Sequence, residues 1–90
     1  MERRVEGFIW LDWVVEKLIQ KHGVEPAEAE EAFFNAPYKV RKASSGKYWL
    51  YGRSDDGRYL FIVFTWVGRR IKVISARDMT PSERRYYGRK

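Results

Sequence analysis

At 90 residues the chain can hold one hydrophobic core and little else, so a single domain spanning residues 1–90 is expected; aromatic residues at 17%, four of them Trp, offer large apolar area for that core. The absence of cysteine excludes disulfides, thiolate catalysis and Cys-ligated zinc, and suits a reducing cytoplasm. The net charge of +6 is polarised: residues 1–35 carry four Lys and Arg against eight Asp and Glu, whereas residues 36–90 carry fourteen against four.

A local excess of positive charge concentrates polyanions, and nucleic acid is the commonest polyanion in a cytoplasm. The longest apolar run, Leu60–Phe64, is far short of a membrane span, and the N-terminus is charged rather than shaped like a signal peptide. A soluble, cytoplasmic protein with no membrane partner is expected.

In chain order, Asp12 is placed to cap a helix from Trp13 to about His22, with Trp10, Val14 and Leu18 as its apolar stripe and Gly23 as its stop. Pro26 suits the first position of a second helix, with Ala29, Ala32 and Phe33 inward and Glu28, Glu30 and Glu31 mostly outward. These acidic helices are expected to bound the site or to meet a protein partner. After Asn35-Ala36-Pro37 the pattern turns to alternation.

Tyr38–Lys42 and Lys47–Arg53 read as strands, Ser54-Asp55-Asp56-Gly57 as a turn, and Arg58–Trp66 as a central strand covered on both faces. Past Gly68, Ile71, Val73 and Ser75 alternate with Lys72 and Ile74 in a fourth strand. Thr80-Pro81-Ser82-Glu83 is a capping box opening a last helix, with Gly88-Arg89-Lys90 expected to fray. The expected fold is α+β: two N-terminal helices, a four-stranded antiparallel meander and a C-terminal helix.

One His rules out most transition-metal sites, and neither a glycine-flanked serine elbow nor a phosphate loop is present, so no metal or other cofactor is expected. Arg, Lys, Tyr and one His remain, which is what metal-independent RNA cleavage by the 2′-hydroxyl uses: cations on the crowded phosphate, titratable groups on the protons. Arg77, following the last strand, is the first candidate for the phosphate, against a salt bridge to Asp78 or Glu83. Arg53 is a second, against a charged strand end beside Asp55 and Asp56.

His22 either caps its helix or moves protons. Tyr86 and Tyr87 point about 100° apart, so one is expected to be buried and the other free to stack on a base or donate a proton. Tyr48, Trp49 and Tyr51 fit a base-stacking surface, with the core as default for Trp49. Lys47, Arg58, Lys72, Arg84 and Arg85 are the candidate RNA-binding cations.

Lys21-His22-Gly23-Val24, Val63-Phe64-Thr65, Ile74-Ser75-Ala76-Arg77 and Glu83-Arg84 followed by Tyr87, in this order over nearly the whole chain, resemble BrnT-type toxins. The resemblance implies a compact RelE-like fold, RNA cleavage that arrests translation, and neutralisation by a ribbon-helix-helix antitoxin of the BrnA kind, through which alone the complex reaches operator DNA. By motif it implicates His22, Arg53, Arg77, Glu83 and Tyr87. This chain departs from many such toxins in having only Ala43-Ser44-Ser45-Gly46 between the first two strands. The alternatives from other classes are a non-catalytic RNA-binding module using the same basic face, and an interaction protein docking an acidic partner.

Overall fold

The computed structural model describes residues 4–89. Strand β1 (Gly7–Ile9) leads into α1 (Asp12–Lys17), whose winding widens to a π-turn over Leu18–His22 before α2 (Pro26–Ala32). Strands β2 (Lys39–Lys42), β3 (Tyr48–Arg53), β4 (Tyr59–Val67) and β5 (Arg70–Asp78) follow, then α3 (Pro81–Gly88). The sheet runs β1-β5-β4-β3-β2, with the last four strands antiparallel and β1 parallel to β5. The meander is as expected; β1 is an addition, making five strands in place of four. Among the described residues no helix is long and apolar enough to cross a membrane.

The helices carry the chain from the β1 edge to the β2 edge across one face of the sheet. Val14, Leu18, Val24, Ala29, Ala32 and Phe33 there meet Leu50, Leu60, Ile62, Phe64, Ile71, Val73 and Ala76 in the main core. Gly23 ends the π-turn with a left-handed φ of 62°, which glycine adopts without steric cost. Asp12 is not the cap. Leu11 holds that position without a side-chain bond, and Asp12 sits in the first turn, where its charge suits the helix dipole.

The glutamates of α2 do not simply face outward. Glu28 pairs with Arg58, Glu30 accepts the Trp10 indole N–H at 2.7 Å, and Glu31 accepts the Asp55 backbone N–H at 2.9 Å. These three carboxylates therefore tie α2 to Arg58, Trp10 and the turn at Asp55.

Strand β5, the fourth of the expected strands, departs from simple alternation. A bulge falls where Ser75 pairs with Val63 but Val73 with Phe64, leaving Ile74 as the extra residue. Ile71, Val73 and Ala76, not Ser75, therefore face the main core. The bulge puts Lys72, opposite Thr65, and Arg77, opposite Phe61, on the same outer face of the sheet. Strict alternation would have put them on opposite faces.

On that outer face Tyr51, Phe61 and Met79 form a second apolar cluster with Trp49, Tyr59, Val63, Tyr86 and Tyr87. The last two belong to α3, which covers part of the face. The capping box of α3 is complete: Thr80 Oγ1 accepts the Glu83 N–H at 3.2 Å, and Glu83 accepts the Thr80 N–H at 2.8 Å. Gly88 is the last residue of α3; Lys90, part of the tail expected to fray, lies outside the described residues.

Candidate active site

Register builds the outer face. Lys39 pairs with Tyr51, Tyr51 with Phe61 and Phe61 with Arg77, so these four side chains form one row across β2, β3, β4 and β5. Beside it runs the row Arg41, Trp49, Val63 and Ser75. Arg53 and Tyr59 pair on the same face one step along. Cations thus alternate with rings: the Arg77 guanidinium lies 4.5 Å from the Phe61 ring, Arg84 4.2 Å from Tyr59, and Lys39 4.5 Å from Tyr86.

Arg77 is the best-defined of these groups. Its Nη1 and Nη2 donate to the two oxygens of Glu83 at 2.8 and 2.9 Å, and Nη1 also donates to the Asp78 carbonyl at 3.1 Å. The salt bridge weighed against a phosphate role is therefore present, with Glu83 as partner. It occupies only one edge of the guanidinium. The Nε hydrogen and the second Nη2 hydrogen have no acceptor among the described residues, and together they form the other two-pronged edge of the fork.

Charge states reinforce this geometry. The Glu83 hydrogen bond, working against partial burial, raises the Arg77 pKa above its ordinary value. The reciprocal bond from Arg77, against the same burial and helped by the Thr80 N–H, holds Glu83 below the usual range. Both groups stay ionised across the neutral range.

Arg58 contrasts with Arg77. Its Nε and Nη2 donate to Asp78 at 2.7 and 3.1 Å, its Nη1 to Gly23 O and Glu28 at 2.8 and 3.1 Å, and its Nη2 also to His22 O at 2.9 Å. All five N–H groups are engaged, which leaves none for RNA. The bond to Asp78 keeps Arg58 above its ordinary pKa and Asp78 below its own. Arg58 is a clamp between the helix turn and the sheet, a correction to its expected place among the RNA-binding cations.

The other expected residues divide by face. Arg53 shares the outer face with Arg77; its Nε is buried without a partner among the described residues. It forms no pair with Asp55, whose carboxylate accepts from Asn35 at 2.8 Å. Lys72 shares that face, exposed Lys47 immediately precedes β3, and Arg84 and Arg85 belong to α3. The His22 carbonyl is held by Arg58, and His22 is near enough to Asp78 to favour the charged form of that carboxylate.

Nor is one tyrosine of α3 left free. Tyr86 packs edge-on against Tyr51 at 4.8 Å and Tyr87 against Tyr59 at 5.8 Å, while the Tyr87 hydroxyl donates to Pro37 O at 2.6 Å. The expected stacking surface is also altered. Tyr48 stacks on Phe64 beside the main core, and Tyr51 is only 4% exposed.

Between α3 and the sheet lies an open cleft of about 850 Å³ lined by Arg41, Tyr51, Glu83, Arg84, Arg85 and Tyr86. Arg41 was not expected in a site. The alternation of Tyr38–Lys42 does say that Lys39 and Arg41 share a face, but only the pairing with β3 says which face. Among the described residues no three His, Cys, Asp or Glu side chains gather as a metal site would need.

The solved structures include a close match in fold. The 1.1 Å crystal structure of the ribonuclease toxin BrnT from Brucella abortus superimposes with a TM-score of 0.69 at 23% sequence identity, covering 82% of this chain and 96% of that one. The architecture is thus that of a BrnT-type α+β toxin. Residues 10–83 also match the family of the ribonuclease toxin BrnT of type II toxin-antitoxin systems. The chain belongs to that family, which implies an RNA substrate and a protein antitoxin. No curated protein sequence is similar enough to be matched to it. The family match ends at Glu83, so Tyr86 and Tyr87 lie beyond it.

Proposed function

We propose that this protein is an endoribonuclease that cleaves single-stranded RNA without a metal ion, using the substrate's own 2′-hydroxyl as nucleophile, and thereby inhibits translation in the cytoplasm. The observation that carries this reading is Arg77: one edge of its guanidinium is pinned by Glu83, and the other is open on a face crowded with cations and rings. A fixed fork of that kind binds two phosphate oxygens and stabilises the charge that grows there as the 2′-oxygen attacks. Arg53 supplies a second guanidinium from the same face, while Lys47, Lys72, Arg84 and Arg85 track the flanking phosphates.

Family membership supports neutralisation by an antitoxin; we assign that partner a ribbon-helix-helix domain through which the complex reaches operator DNA. A second reading is RNA binding without cleavage, favoured by the Arg77–Glu83 pair itself, since the open edge of the fork can still hold a phosphate while the paired carboxylate offsets the charge needed to stabilise the transition state. Substrate chemistry tests the first. An RNA carrying a 2′-deoxynucleotide on the 5′ side of a cut site should no longer be cut there, and products of unmodified RNA should end in 2′,3′-cyclic phosphates. Continued cleavage at the deoxy position would exclude 2′-hydroxyl attack.

A further inference from the structure

Attack by the 2′-oxygen needs a proton delivered to the departing 5′-oxygen, and the geometry narrows the donor. Tyr87 donates its hydroxyl to Pro37 O, and His22, held through its carbonyl by Arg58, is not among the residues that line the cleft. Lys39 donates its ammonium to the carbonyls of Tyr86 and Arg89, closing the end of α3. Ser82 lines the cleft, but an aliphatic hydroxyl is far too weak an acid.

Tyr51 is different. Its ring is locked between Phe61, at 5.3 Å, and Tyr86, at 4.8 Å, yet the residue lines the cleft and its hydroxyl makes no hydrogen bond among the described residues. Its place in the row leaves Phe61 alone between it and Arg77. The two are near enough for Tyr51 to favour the charged form of Arg77. A rigid phenol with an uncommitted proton, beside an anchored phosphate fork, is the arrangement a general acid requires.

We propose that Tyr51 is the general acid of RNA cleavage, protonating the 5′-oxygen as it leaves the phosphate held by Arg77. The inference rests on the ribonuclease reading above. As the 2′-oxygen forms its bond to phosphorus, the 2′-hydroxyl proton passes to water and the bond from phosphorus to the 5′-oxygen breaks. That oxygen takes the Tyr51 proton, giving a 5′-hydroxyl and a 2′,3′-cyclic phosphate. The tyrosinate regains a proton from water.

Tyr51→Phe keeps the ring contacts and removes only the acid. The test compares wild type and Tyr51→Phe, both confirmed folded by circular dichroism, on a natural RNA and on the same RNA with sulfur replacing the 5′-bridging oxygen at the cut site. Thiolate leaves without protonation. The variant should cut natural RNA about 10²–10³-fold more slowly, bind RNA as tightly as wild type, and regain nearly the wild-type rate on the sulfur substrate. Wild-type cleavage of natural RNA by Tyr51→Phe, or an equal defect on both substrates, overturns the assignment. If wild type itself cuts neither RNA, the ribonuclease reading fails and the role of Tyr51 falls with it.

Discussion

Two arginines of one small protein, Arg58 and Arg77, both sit in short ion pairs, and the count of engaged N–H groups separates their roles. Arg58 joins Gly23, His22, Glu28 and Asp78, groups from three parts of the chain, and has no donor left. Arg58→Ala should destabilise the fold by about 1.5–3 kcal/mol, the scale of hydrogen bonds to charged groups, and leave RNA affinity of the folded protein unchanged. Urea denaturation and a binding titration check the two halves. A stable variant with weakened RNA binding would return Arg58 to the RNA surface. The difference was not legible in the sequence, because Arg58 meets its partners across 20 to 36 residues. Arg77 is six residues from Glu83, which the Thr80–Glu83 capping box marks in the sequence, so that pair was legible. Tyr51 was legible as an aromatic on a strand, but the freedom of its hydroxyl follows from α3 folding back over β3.

Among the elements, periodicity and turn chemistry reveal the three helices and the meander, while pairing over long separations reveals the rest. Strand β1 is three residues long and depends on β5, far along the chain, for its hydrogen bonds. The bulge at Ile74 leaves no sign in the alternation of the strand, yet it brings Lys72 and Arg77 to one face. Glycine at 52 marks a close approach between elements: a Cβ there would lie 3.0 Å from the Ala32 carbonyl oxygen and 3.2 Å from Leu50 Cδ2. Backbone cannot yield as a side-chain tip can, so Gly52→Ala should cost about 1–3 kcal/mol in chemical denaturation. Gly88→Ala, with nothing within 4 Å of its added carbon, should cost nothing measurable. Equal effects of the two would mean that α2 does not pack on β3 as described.

Across the whole molecule, the charge polarity of the sequence becomes a polarity of faces. The carboxylates of α2 are tied to Trp10, Arg58 and Asp55 on the helix-covered side. The basic strands and α3 gather Arg41, Arg53, Lys72, Arg77 and Arg84 on the other. The direction of that asymmetry was legible, since the acidic and basic residues fall in different halves of the chain. The place of His22, held by Arg58 and outside the cleft, was not, because it depends on how the helices cross the sheet. The central claim is that the basic aromatic face cuts RNA and that Arg77 is its phosphate anchor. Its most direct test is cleavage of a labelled single-stranded RNA in EDTA by wild type and by Arg77→Ala, both confirmed folded. The account predicts cleavage by wild type alone. If wild type binds the RNA without cutting it, or if Arg77→Ala cuts equally well, the claim is contradicted.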